Sequence, residues 1–108
     1  MSRINWKKTV KEIPSKVQVA SKVFYDVTWQ KEIVDTKGNH LYGFTDLINK
    51  IITIQLDLPP KLTVETYTHE LAHAVSEEFK IGLTENQVLA MEKAMPYLLK
   101  KNNVFNEE

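Results

Sequence analysis

Two histidines four positions apart, His69 and His73, with Glu70 beside the first, are the residues best equipped for chemistry in this chain. They stand in the run Thr68-His69-Glu70-Leu71-Ala72-His73-Ala74. On an α-helix, positions i and i+4 share one face about one turn apart, so two imidazoles at that spacing can bind a single metal ion from one side. Glu70 lies roughly 100° further round. That is too far for an obvious third ligand, but it suits a carboxylate reaching a water held on the metal. Imidazole ligands, an open position for water and a carboxylate general base are the parts of a zinc hydrolase.

These residues need a helix of a particular cross-section. Stepping from His69, the positions of Leu62, Thr66, His69, His73 and Glu77 fall within an arc of roughly 80°, with Glu70 just beyond. Val64, Tyr67, Leu71, Ala72, Ala74, Val75 and Phe79 take the other side, over roughly 160°. A broad apolar back and a narrow polar strip carrying both histidines favour a metal site over two solvated surface histidines. The helix is expected from about Thr63 to Lys80. Thr63 would be its N-cap, with Thr66 where a capping-box glutamate would sit. Gly82 suits a left-handed turn past its end.

Upstream, residues 17–34 read as β. Val17 and Val19 alternate with polar neighbours, Ala20-Ser21-Lys22 is a plausible turn, and Val23, Tyr25, Val27 and Trp29 share one face. Tyr25 and Trp29 are expected in the core. Thr36 to His40 is turn material, and His40 is expected to be a solvated surface residue. Leu41-Tyr42-Gly43-Phe44 reads as a strand with a bulge at Gly43. Lys50 to Leu56 is the strongest strand, with Ile52, Ile54 and Leu56 on one side. Pro59-Pro60 ends the sheet region, since neither residue can donate to a ladder. At the start, Ile4, Val10 and Ile13 could line a short helix stopped by Pro14, or belong to an irregular lead-in.

Downstream, Thr84-Glu85-Asn86-Gln87 fits a capping box and opens a second helix. Val88, Met91, Met95, Leu98 and Leu99 form its apolar face, and Pro96 should kink it. The pattern is that of an α+β fold: a small, mostly antiparallel sheet of three or four strands, then the motif helix, then a C-terminal helix. One domain over residues 1–108 is expected.

Lysine plus arginine and aspartate plus glutamate each number 14, so the formal charge is zero. There is none of the basic excess that nucleic-acid or anionic-membrane binding usually shows. No stretch is apolar and long enough to span a bilayer, and Met1 to Val10 carries no apolar signal core. No cysteine is present, which excludes disulfides and thiolate ligands. A cytoplasmic protein is the expectation.

Catalytic zinc usually takes three protein ligands and one water. With His69 and His73 supplying two, a carboxylate on the second helix is the natural third. Glu85 and Glu92, seven apart, return to nearly the same helix angle, on or beside the apolar face. A carboxylate there needs a partner. Glu85 is favoured, with Glu92 the alternative; an acid in a first turn and a rim salt bridge are their ordinary explanations. Glu77 reads as a supporting or surface acid. Tyr67 and Tyr97 are candidates, by residue type alone, to stabilise an oxyanion.

The layout resembles small phage- and prophage-encoded zinc metallopeptidases, minimal zincins similar to the ImmA/IrrE type. The residues that carry the likeness are Tyr25-Asp26-Val27-Thr28-Trp29, Gly43, Lys50-Ile51-Ile52-Thr53-Ile54, the histidine motif, Leu83-Thr84-Glu85-Asn86-Gln87-Val88, and an asparagine after the last helix, Asn102 or Asn103. The resemblance implies zinc, peptide-bond hydrolysis of narrow specificity, action on a protein or peptide partner, and a glutamate on the following helix, here Glu85, completing the site. A bound peptide could add as a strand beside Lys50 to Leu56 if that is the sheet edge. The alternative is a protein-binding module whose zinc is structural or vestigial.

Overall fold

The computed structural model describes residues 3–101; Asn102 and Asn103 lie outside the described residues. A short helix, α1 (Trp6–Lys11), is capped by Asn5, whose side-chain oxygen accepts from the Lys8 amide at 3.1 Å. Strands β1 (Lys16–Ala20) and β2 (Val23–Gln30) follow; of the turn expected at Ala20-Ser21-Lys22, Ala20 ends β1 and Ser21-Lys22 make the turn. Next come β3 (Ile33–Val34), β4 (His40–Leu41), β5 (Gly43–Asp46) and β6 (Ile51–Gln55). Two longer helices come after the strands: α2 (Pro60–Glu78), which carries the histidine motif, and α3 (Glu85–Pro96). The fold is therefore α+β.

The main sheet has the order β1-β2-β6-β5, and β3 pairs with β4 in a separate ladder. The β1–β2 and β6–β5 pairings are antiparallel, whereas β2 and β6 run parallel with Val27 opposite Ile52. Two expectations change here. The Leu41–Phe44 segment is not one bulged strand: it breaks at Tyr42, whose carbonyl accepts from the Gln55 amide at 2.8 Å. Lys50 to Leu56 is not an edge: β6 is held on both sides, and the free edges are β1 and β5.

The core lies between this sheet and α2. Tyr25, Val27, Ile52, Ile54 and Ala74 are buried, with Val17, Val19, Val23, Tyr67, Leu71 and Ile13 packed around them. Strand alternation explains the pattern, because residues i and i+2 line one face. Trp29 and Leu56 continue that alternation but are only partly covered, at 37% and 41% exposure, so the buried layer stops short of both. In α1 the buried residue is Thr9, whose hydroxyl donates to the Asn5 carbonyl; Val10 in the helix and Ile4 and Ile13 on either side of it are half-buried.

Helix α2 begins before the expected Thr63. Pro60 occupies the first helical position, where its missing N–H costs nothing, and Pro59 precedes it without a side-chain cap. Thr63 lies inside the first turn, buried, its hydroxyl donating to the Leu58 and Pro59 carbonyls. The helix ends in a Schellman motif: the Ile81 amide reaches the Ser76 carbonyl at 3.0 Å and the Lys80 amide the Glu77 carbonyl at 3.3 Å. Lys80, at φ +54°, is the left-handed residue; Gly82, at φ +72°, comes two residues later and turns the chain toward α3. There the expected capping box forms, with Gln87 N–H to Thr84 Oγ1 at 3.2 Å and Thr84 N–H to Gln87 Oε1 at 2.8 Å. Pro96 ends the α-helix, and Tyr97–Lys101 continues as one π-helical turn. Among the described residues, no helix is long and apolar enough to cross a membrane.

One polar cluster ties the sheet to the end of α2. Buried Tyr25 donates to Glu78 Oε2 at 2.9 Å, and Lys50 Nζ donates to the same oxygen at 2.6 Å. The Lys50 bond, then the Tyr25 bond, hold the Glu78 carboxyl below its ordinary 4.5. Burial, reinforced by Glu78, pushes the Tyr25 hydroxyl up to about 12. Glu78 favours its ionised form when folded, so its contribution is present above the unfolded value and fades as pH falls through the lowered one. Tyr25 favours its neutral form, so its contribution is present below 10.0 and fades as pH rises toward about 12. Urea midpoints followed against pH should therefore decline on both flanks, with a shallower acid limb in Glu78→Gln. Superimposable acid limbs would refute this assignment.

A candidate metal centre beside a buried glutamate

Residues 69 and 73 lie one turn apart on α2 and point the same way, toward the start of α3. Their Nε2 atoms are 3.2 Å apart. Glu85, the first residue of α3, brings its carboxylate across the 79–84 connection: Oε1 lies 3.0 Å from His69 Nε2 and Oε2 lies 3.7 Å from His73 Nε2. The helix cap at Thr84 fixes that arrival, because it sets where the first turn of α3 begins. One ligand atom from each of His69, His73 and Glu85 falls within 4.8 Å of the others, so the three can hold a metal ion. Two imidazoles and one carboxylate are a donor set that catalytic zinc sites use, with room left for a fourth ligand.

Glu92, the alternative third ligand, sits elsewhere. Its Oε1 is 2.7 Å from His69 Nδ1, the ring nitrogen on the far side from Glu85. A carboxylate there can accept a proton from Nδ1, and that tautomer is the one that would leave the Nε2 lone pair for an ion beside His73 and Glu85. The side chains of Glu92 and His69 are only 12% and 18% exposed, against 61% for Glu85. Seven positions along α3 thus separate the carboxylate beside His69 Nε2 from the one beside its Nδ1.

Glu70 faces β5. It is buried, and Thr45 Oγ1 donates to its Oε1 at 2.6 Å. Burial pushes the Glu70 carboxyl above the ordinary carboxylate range, while the Thr45 bond and the two imidazoles draw it back part of the way. A carboxyl held above its ordinary range is better matched to proton transfer near neutral pH than an unperturbed one. The approach of β5 depends on Gly43. A Cβ there would come within 2.7 Å of Thr66 Cγ2, 3.0 Å of Glu70 Cγ and 3.1 Å of Glu70 Oε2. Gly43 is thus a site of close backbone approach and not a bulge.

The polar strip of α2 is covered more than its composition suggests. Thr66 and Glu70 are buried, and so is Glu65, four residues before His69. A cavity of about 430 Å³ opens over the histidines, floored by His69, Glu70 and His73 and walled by Phe44, Thr45 and Leu47. Glu77 is at its rim and pairs with Lys80 at 3.1 Å.

Several other candidates are not brought here. Tyr67 lies on the opposite side of α2, lining an apolar cavity shared with Met91 and Met95. Tyr97 packs edge-on against Trp6, ring centroids 5.8 Å apart. Neither is placed to stabilise an oxyanion at this centre. His40 is exposed on β4, nearest Glu32 at 3.9 Å, and stays apart from the other two histidines. Thr45 and Glu65 carry no signal of their own type, the only hint for Glu65 being its spacing of four from His69; Gly43 stood out in the sequence, but as a bulge and not as a close approach to α2. Comparison with protein-family profiles, curated proteins and solved structures finds no match to this chain.

Proposed function

We propose that this protein is a zinc-dependent peptide-bond hydrolase of narrow specificity, a minimal zincin of the ImmA/IrrE kind. The observation that carries the reading is the convergence of His69, His73 and Glu85 within ligand distance of one another beside a buried, hydrogen-bonded Glu70. A zinc ion held by the three donors would supply Lewis acidity to a bound water and to the scissile carbonyl. Glu70 takes the proton of the attacking water and returns it to the leaving amine. Thr45 keeps one oxygen of Glu70 fixed while this happens, and Glu92 keeps the His69 ring in one orientation.

The substrate is a protein or peptide in extended form, added along β5 and not along β6, because β5 is the free edge next to the histidines. Exposed Phe44 and Leu47 on and after that strand offer it apolar contacts. Native mass spectrometry of the purified chain, with elemental analysis, tests the first step. One zinc per chain is expected, with none after both His69→Ala and His73→Ala are introduced. Metal-free wild-type protein that stays metal-free in added zinc would end the proposal.

A second reading has its own support. The ligands come from two helices, His69 and His73 from α2 and Glu85 from α3, so an ion would also staple the helices together. In that case the protein binds a partner without cutting it, and metal removal lowers stability alone.

A further inference from the structure

The Glu92 carboxylate has two oxygens, and they are committed differently. Oε1 meets His69 Nδ1 at 2.7 Å; Oε2 meets Lys93 Nζ at 3.3 Å. The same lysine reaches back to α2, where its Nζ donates to Glu65 Oε1 at 3.1 Å. Glu65 and His69 are four apart on α2, and Glu92 and Lys93 are neighbours on α3. The contacts therefore form a chain of four side chains, Glu65–Lys93–Glu92–His69, that leaves α2 and returns to it one turn later.

Lys93 itself is 64% exposed, which alone would mark it as a surface lysine. Its two partners are not on the surface: the side chains of Glu65 and Glu92 are 9% and 12% exposed. Two nearly buried carboxylates facing one helix interface are costly without a cation. Lys93 is the cation that touches both. By holding Oε2 it also fixes the rotation of the Glu92 carboxylate, and so the direction in which Oε1 points.

We propose that Lys93, clamped by Glu65, is a positioning residue for the metal centre: it sets the Glu92 carboxylate against His69 Nδ1 and thereby aims His69 Nε2 at the ion. The inference rests on the metal-binding reading above. It assigns Lys93 no contact with metal or substrate. What it predicts is a graded effect on metal affinity from a residue that reaches the ion only through two others, Glu92 and His69.

Co²⁺ is the probe, since its d–d absorption reports ligand geometry and its dissociation constant can be read by chelator competition on the full chain. Glu92→Ala should weaken Co²⁺ binding toward roughly 100-fold, and Lys93→Met by roughly tenfold, the two ends of what losing an outer hydrogen-bond partner does to metal affinity. Both should alter the d–d bands. Lys93→Arg should restore affinity and spectrum, and Glu65→Gln should mimic Lys93→Met, which also covers the case in which Lys93→Met fails to fold. Thermal midpoints are recorded alongside. A lysine that only braces the helices would lower the midpoint and leave the Co²⁺ constant and spectrum unchanged; that result overturns the inference while the metal centre stands. Wild-type protein that takes up no Co²⁺ overturns the metal reading and this inference together.

Discussion

Glu70→Gln should keep the fold and the metal and lose hydrolysis by roughly 10²–10⁴-fold, the usual contribution of a positioned proton-transfer group. The substitution is nearly isosteric. The amide oxygen can still accept from Thr45 Oγ1, which now lies 2.6 Å from Glu70 Oε1, so the side chain has a reason to stay in place. What it loses is the ability to take a proton. Because the carboxylate is buried and its ionised form is penalised there, a neutral amide should not lower the thermal midpoint. The assay is the release of new amino termini from a peptide library, read beside zinc content. Full activity in the zinc-loaded variant would remove Glu70 from the mechanism. Zinc-loaded wild type and variant that are equally inert would favour the stapled binding module.

Gly43→Val is the second large effect, and it couples stability to the site. A Cβ at this position already meets Thr66 and Glu70 at 2.7–3.1 Å, and valine adds two methyl groups in the same crowded space. Overpacking of this kind costs about 1–3 kcal/mol, occasionally more. In a domain of this size each kcal/mol lowers the midpoint by roughly 4–8 °C. Strand β5 must move away from α2 or Glu70 must leave its rotamer, and in either case the Thr45–Glu70 bond is broken. Calorimetry and the amino-terminus assay should fall together. Phe44→Ala, one residue along and exposed, is the control for simple loss of side-chain area on that strand. A Gly43→Val protein as stable as wild type would mean that β5 does not approach α2 this closely.

The parts of the fold that rest on local rules were legible in the sequence. The capping box at Thr84 and Gln87 is a three-residue signal and forms as read. Strands β1, β2 and β6 follow from alternation, and the motif helix from its periodicity. What could not be read depends on distant partners. No local pattern says that β6 inserts between β2 and β5, or that β2 and β6 run parallel, because the 20 residues between Gln30 and Ile51 decide it. Thr63 has the right chemistry for a cap, yet the prolines before it start the helix earlier. The site divides in the same way. His69, His73 and Glu70 are fixed by spacing along one helix. Choosing between Glu85 and Glu92 requires knowing which ring nitrogen each meets, and that is set by the crossing of α3 over α2. Gly43 reads as a strand defect until the helix it touches is known.

The separation of Glu85 from Glu92 has one more consequence. Two full turns of α3 place both on the same flank, roughly 20° out of phase. Inserting or deleting a single residue between them would swing one carboxylate by roughly 100° relative to the other. Length drift in that short span is therefore far more damaging than drift in the exposed Thr36–Asn39 turn. Descendants of this chain should tolerate indels in that turn and almost none inside those two turns of helix.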